Sequence, residues 1–106
     1  MMSRKDKEIL AEVSKRVRGR FSEARIWAFG SRARGDASWE SDFDTCIVLE
    51  RVDDDVIDWL RSVAWEVGFE HECVITTVVL DSEQFEKGPV SESTLVGNIL
   101  REGVAA

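Results

Sequence analysis

The chain has 106 residues, 43% hydrophobic and 33% charged, with one proline and a net charge of −7. Its length predicts one domain spanning residues 1–106. It has no apolar run of membrane-spanning length, so no membrane partner is expected, and its acidic total makes nucleic acid an unlikely one. The charge is uneven: residues 1–35 hold ten Lys/Arg against four Asp/Glu, and the remainder four against seventeen. The basic third is either a solvated helix face or a surface for phosphates or an acidic partner. The opening residues, MMSRKDKE, are charged and lead into no apolar signal segment, so a cytoplasmic location is expected.

Residues 3–19 carry Ile9, Val13 and Val17 at helical spacing with Leu10 beside them, which predicts an amphipathic helix ending near Gly19. Residues 24–29 read as a short strand, with Ile26 and Ala28 on one face and Arg25, Trp27 and Phe29 on the other. Gly30 and Ser31 end it, a helical turn is expected over 32–35, and a loop over 36–41. Residues 42–50 read as a strand that is apolar after Asp44 and therefore central in its sheet.

Asp53, Asp54 and Asp55 offer an N-cap and favourable charge for a helix running to about Val67 and closed by Gly68. Residues 73–80 are the most β-prone stretch. Asp81 and Ser82 can cap a short helix to Glu86, which Gly88 and Pro89 break. Ser91 is the expected cap of a last helix to about Glu102, with Leu95, Ile99 and Leu100 among its apolar residues. Trp27, Trp59 and Trp65 read as core or edge-of-core residues. The expected class is α/β (α+β): a small mixed sheet with helices packed on it.

Cys46 and Cys73 lie in apolar, strand-like stretches without a CxxC partner or a histidine pair. Two buried thiols are expected, and a zinc site is not. A disulfide requires their strands to be neighbours.

The chemistry concentrates in residues 30–44, GSRARGDASWESDFD. A glycine at a strand end lets a ligand approach the backbone, and N–H groups opening a helix favour phosphate. Ser31 adds a hydroxyl donor. Asp42 and Asp44 alternate on a strand, so both carboxylates share a face. Paired carboxylates suit magnesium, which prefers oxygen ligands and accompanies substrate phosphates. Charge at the head of an apolar strand is costly, and a functional site would explain it.

This stretch resembles the G-S-x-x-x-G followed by D-x-D of the DNA polymerase β-like nucleotidyltransferase superfamily. The arginine-rich version is similar to its minimal members, which often serve as antitoxins of small helical HEPN-type toxins. The element order and the ending Arg101-Glu102-Gly103-Val104 are also similar to those minimal domains. The resemblance implies the polymerase β-like fold. It implies that Gly30 and Ser31 hold a triphosphate, ATP favoured, that Asp42 and Asp44 are catalytic metal ligands in a one- or two-magnesium site, and that Arg32 or Arg34 neutralises phosphate. The arginines could equally form solvent-facing salt bridges, and Gly35 is expected to serve backbone geometry. The implied reaction transfers a nucleoside monophosphate to a hydroxyl, with a partner protein such as a HEPN-type toxin as acceptor. A homo-oligomer through an exposed sheet edge is also possible.

Active members carry a third carboxylate on a neighbouring strand, and residues 73–80 contain none. One alignment places Thr76 there and another Glu72; Glu70 and Asp81 are more distant candidates. His71, the only histidine, is a potential substitute base or a surface residue. Trp39, inside the motif loop, could stack on a base, dock on a partner or pack over the loop. The competing reading is a catalytically weak or silent module that neutralises a partner by covering it.

Overall fold

The structure is a computed structural model; it describes the chain except residues 37 and 39 and the side chain of residue 90. Trp39 therefore lies outside the described residues. Helix α1, Arg4–Arg20, starts where the Ser3 side chain accepts the Asp6 amide. Strand β1, Arg25–Phe29, leads directly into the five-residue helix α2, Gly30–Arg34. Strand β2, Phe43–Leu49, is followed by helix α3, Asp54–Glu70, which Asp53 caps through the Val56 amide. Strand β3, Ile75–Asp81, runs into helix α4, Ser82–Glu86, where Asp81 and Gln84 form a reciprocal capping box. A 3-10 turn at Pro89–Glu92 precedes helix α5, Thr94–Glu102, and the two-residue strand β4, Val104–Ala105.

The sheet order is β3-β2-β1-β4. β1 pairs antiparallel with β2 and β4, and β2 pairs parallel with β3. This mixed sheet with helices on both faces is the α/β (α+β) class read from the sequence. Strand alternation divides the core. Phe43, Ile47 and Leu49 join Ile9, Val13 and Leu60 on the α1/α3 side. Cys46 and Val48 join Phe85, Val96 and Ile99 on the α4/α5 side. Buried on both faces, β2 is central, as its apolar run requires. Among the described residues, no helix is long and apolar enough to cross a membrane.

Four readings need correction. α3 does not stop at Gly68 but continues to Glu70. Gly68 is buried, and a Cβ there would sit 2.5 Å from the Cys73 carbonyl oxygen, so this glycine serves the close return of the chain toward β3. The cap of α5 is Ser93, which accepts the Val96 amide, whereas Ser91 donates to the Gly88 carbonyl within the 3-10 turn. Trp65 is 68% exposed, because it lies just off the inward stripe of Leu60, Ala64 and Val67. β4 was not foreseen; two residues carry no periodicity to read.

The basic third is largely tied into the fold. Arg16 hydrogen-bonds Glu12 on its own helix and both Glu66 and Glu70 on α3, clasping the two helices together. Arg18 donates to the Ala24 carbonyl and to Ser14. Arg25 pairs with Glu86.

Candidate active site

The site begins where β1 hands over to α2. Gly30 has φ +76°, in the left-handed region. A Cβ built on it would lie 2.5 Å from Oδ2 of Asp44, so only a glycine leaves room for that carboxylate. Phe29 supplies no side-chain cap hydrogen bond to α2. The Ser31 hydroxyl makes no hydrogen bond to another described residue, while its carbonyl accepts from Gly35 and Asp36. Gly35 closes the turn at φ +82°.

Register brings the second half of the motif to the first. Phe29 on β1 pairs with Asp44 on β2, and Asp44 pairs on its other side with Thr76 on β3. Asp44 is half-buried and Asp42, just ahead of the strand, is exposed. By alternation both carboxylates belong to the face that continues through Cys46 and Val48. Gly30, Ser31, Asp42 and Asp44 are therefore assembled at one end of the sheet by a β1–β2 pairing that crosses the whole motif loop.

Both motif arginines pair with carboxylates. Arg32 is buried, donating from Nη1 to Asp6 at 2.8 Å and from Nε to the Ser41 carbonyl at 2.9 Å. Its guanidinium ties the motif loop to the start of α1. Arg34 is exposed and pairs with Asp36 at 3.2 Å and Glu102 at 3.6 Å. Asp6, a partner that sequence spacing did not single out, is the buried counter-charge of the motif.

The register also settles which residue faces Asp44 from β3. Thr76 donates its hydroxyl to Asp44 Oδ1 at 2.6 Å. Glu72 shares its parity but lies before β3, exposed and at φ +56°, where it borders a cavity of about 420 Å³ with Asp6, Arg32 and Ser38. Glu70 ends α3 in its pair with Arg16, and Asp81 caps α4 at the far end of the strand. His71 is the half-buried C-cap of α3. Among the described residues, no group of three His, Cys, Asp or Glu side chains is placed to hold a metal.

Of the two thiols expected to be buried, Cys46 is buried and Cys73 is half-buried. Cys46 pairs in register with Val78, and both cysteines are free although β2 and β3 are neighbours. Burial pushes the Cys46 thiol up to about 11, and burial likewise raises that of Cys73. Both therefore behave as small apolar residues at neutral pH.

The sequence matches the nucleotidyltransferase domain family over residues 8–101, most of the chain. The chain belongs to the nucleotidyltransferase domain family. Two solved structures share its fold. A toxin–antitoxin crystallised with AMP-PNP superposes with a TM-score of 0.62 at 16% identity, over 90% of this chain and 69% of that one. A nucleotidyltransferase candidate from Sulfolobus solfataricus superposes with a TM-score of 0.52 at 19% identity, over 95% of this chain and 81% of that one. No curated protein sequence matches this one. At such identities the neighbours speak for the polymerase β-like nucleotidyltransferase fold alone.

The donor set of this nucleotidyltransferase domain suits a hard divalent cation. Asp42 is exposed, and Asp44 keeps Oδ2 while Oδ1 accepts from Thr76. Two carboxylates without a protein cage are what magnesium takes when phosphates and water complete its shell.

Proposed function

We propose that this domain binds a magnesium–nucleoside triphosphate, ATP favoured, and transfers its nucleoside monophosphate to a hydroxyl of a partner protein. Gly30 and Ser31 receive the triphosphate, and Asp42 and Asp44 are the catalytic residues and metal ligands. The hydroxyl oxygen attacks the α-phosphorus, the bond to the departing pyrophosphate breaks, and the hydroxyl proton is released. Bound magnesium supplies charge neutralisation on the phosphate oxygens and Lewis-acid activation. The chain's own contribution is positioning: Gly30 admits the Asp44 carboxylate, and Arg32, the third nucleotide-binding residue of this reading, also fixes the loop between the two half-motifs through Asp6 and the Ser41 carbonyl. The toxin–antitoxin neighbour crystallised with AMP-PNP supports the adenine nucleotide and an antitoxin role; the acceptor we propose, a helical toxin of the HEPN type, rests on the resemblance of the motif to minimal nucleotidyltransferases. The observation that carries the reading is the close approach of Gly30 and Asp44, whose Oδ2 lies 2.5 Å from a Cβ built on the glycine.

A second reading has its own observation. Thr76 stands where an active member places its third carboxylate, and a hydroxyl hydrogen-bonded into Asp44 cannot take a proton from an acceptor as a carboxylate does. The domain would then bind nucleotide, turn over slowly, and neutralise its partner by complex formation, its acidic C-terminal two-thirds facing a basic surface.

Calorimetric titration with ATP and other triphosphates, with and without magnesium, tests the shared part. Magnesium-dependent binding that disappears in Asp42→Asn/Asp44→Asn is expected. Binding indifferent to the double substitution would overturn the site. Transfer of labelled AMP to the partner then separates the two readings.

A further inference from the structure

β3 is an edge strand, with β2 on one side and, among the described residues, no strand on the other. From Ile75 to Leu80 it carries no charge and no proline, the devices by which proteins usually blunt such an edge. Beside it α3 exposes two aromatic rings, Trp65 at 68% and Phe69 at 73%, stacked 5.4 Å apart, and Val74 is 63% exposed. Between helix and strand lies an apolar groove of about 560 Å³. Among the described residues its charged lining is Arg61, on α3, and Glu72, just beyond the helix's C-terminus. Neither forms an ion pair with another described residue. The neighbouring acids of α3, Glu66 and Glu70, are both paired with Arg16 and do not line the groove.

We propose that this groove and the β3 edge form a two-fold interface with a second copy of this chain. The charges select that occupant. A two-fold axis through the groove reverses the partner's α3, so Arg61 meets Glu72 of the partner subunit, and the reverse pair forms at the other end. The stacked rings lie between the two charges and cover their own counterparts. An uncharged edge strand pairs antiparallel with itself under the same axis, so one patch satisfies both sides, as an isologous contact requires. A partner of one dominant charge would leave Arg61 or Glu72 facing its own sign. Asp42 and Asp44 do not line the groove. The interface is thus independent of the nucleotide reading, and the loss of either leaves the other standing.

The test is solution mass by sedimentation, on the wild type, on Arg61→Glu and Glu72→Arg singly, and on the double swap. The wild type is expected at twice the 12.0 kDa chain mass. Each single variant places like charges together at both ends and should weaken dimerisation at least about tenfold. The swap should restore it. Both positions are exposed, so circular dichroism should show native folding throughout. Hydrogen exchange of the wild type gives the same reading without substitution: β3 amides should gain protection as concentration rises. A monomeric wild type, a dimer indifferent to the single variants, or a folded swap that stays monomeric would each overturn the proposal. A patch protected only by a different protein would reassign it to a heterologous partner.

Discussion

β2 and β3 are parallel neighbours in one ladder, and they place charge in opposite ways. β2 is buried along nearly its whole length and yet is headed by Asp42 and Asp44. β3 is an edge strand, half-exposed along most of its length, where charge would be cheap and protective, and from Ile75 to Leu80 it has none. Two carboxylates at the head of an otherwise apolar central strand point to a ligand, and an uncharged edge left open points to a partner chain. The pair that joins the strands at the site, Asp44 with Thr76, combines the two patterns in one hydrogen bond of 2.6 Å.

Changing Thr76 to aspartate attacks that difference most directly. It gives β3 the acid it lacks, in register with Asp44 and on the same face. General-base assistance is worth about 10²–10⁴ in rate, so monophosphate transfer by Thr76→Asp should rise by that factor over the wild type. Without magnesium the new pair of carboxylates repels, and the variant should melt below the wild type, with magnesium and ATP recovering the loss. If transfer is unchanged while binding persists, the proton leaves by a group outside this strand, and the contrast between β2 and β3 loses its catalytic meaning.

Arg32 tests how the acidic head of β2 is held in place. Its pair with Asp6 is nearly closed to solvent, with side-chain exposures of 8% and 12%, and its Nε anchors the carbonyl of Ser41, next to Asp42. Removing one member of a buried pair typically costs about 3–5 kcal/mol. Arg32→Ala should lower stability by that order in urea unfolding. Joint replacement of Arg32 and Asp6 by apolar residues should recover much of it. An arginine that only bound phosphate would behave differently: stability would hold and triphosphate affinity alone would fall.

The sequence was most informative where periodicity or capping chemistry is local. Ile9, Val13 and Val17 gave α1, Asp53 gave the start of α3, and the apolar run after Asp44 gave a central β2. What the sequence left unread depended on which neighbour the fold brings up, near in sequence or far. Gly68 looked like a helix stop, but its role is set by the Cys73 carbonyl. Arg32 reads as a phosphate ligand or a salt-bridge partner, and the carboxylate it pairs with, Asp6, lies 26 residues earlier where spacing does not single it out. Trp65 looked like core, but its partner is Phe69 on the same exposed face. The choice between Thr76 and Glu72 was a question of register, which parity alone leaves open and the β2–β3 pairing decides.

The smallest expected effect falls on Gly30, and it carries the finest distinction. Gly30→Ala forces an L-residue into the left-handed region, at roughly 1–2 kcal/mol. It also brings a methyl group against Asp44 Oδ2, at the 2.5 Å that real Cβ atoms essentially never show. The carboxylate must then turn away, and the hydrogen bond from Thr76 to Oδ1 must shift with it. Stability should fall modestly, but magnesium-dependent triphosphate binding should fall by more than the stability change explains, because the methyl group also occupies the approach to α2. The matching control is Thr76→Val, which removes the hydrogen bond from the β3 side and leaves the glycine in place. If affinity drops in Gly30→Ala and holds in Thr76→Val, the binding site is the work of β1, α2 and β2, and β3 contributes only to the transfer step. If the two variants lose affinity alike, the orientation of Asp44 depends on its neighbour across the ladder, and the threonine is a positioning residue for the metal ligand rather than a stand-in for a missing acid.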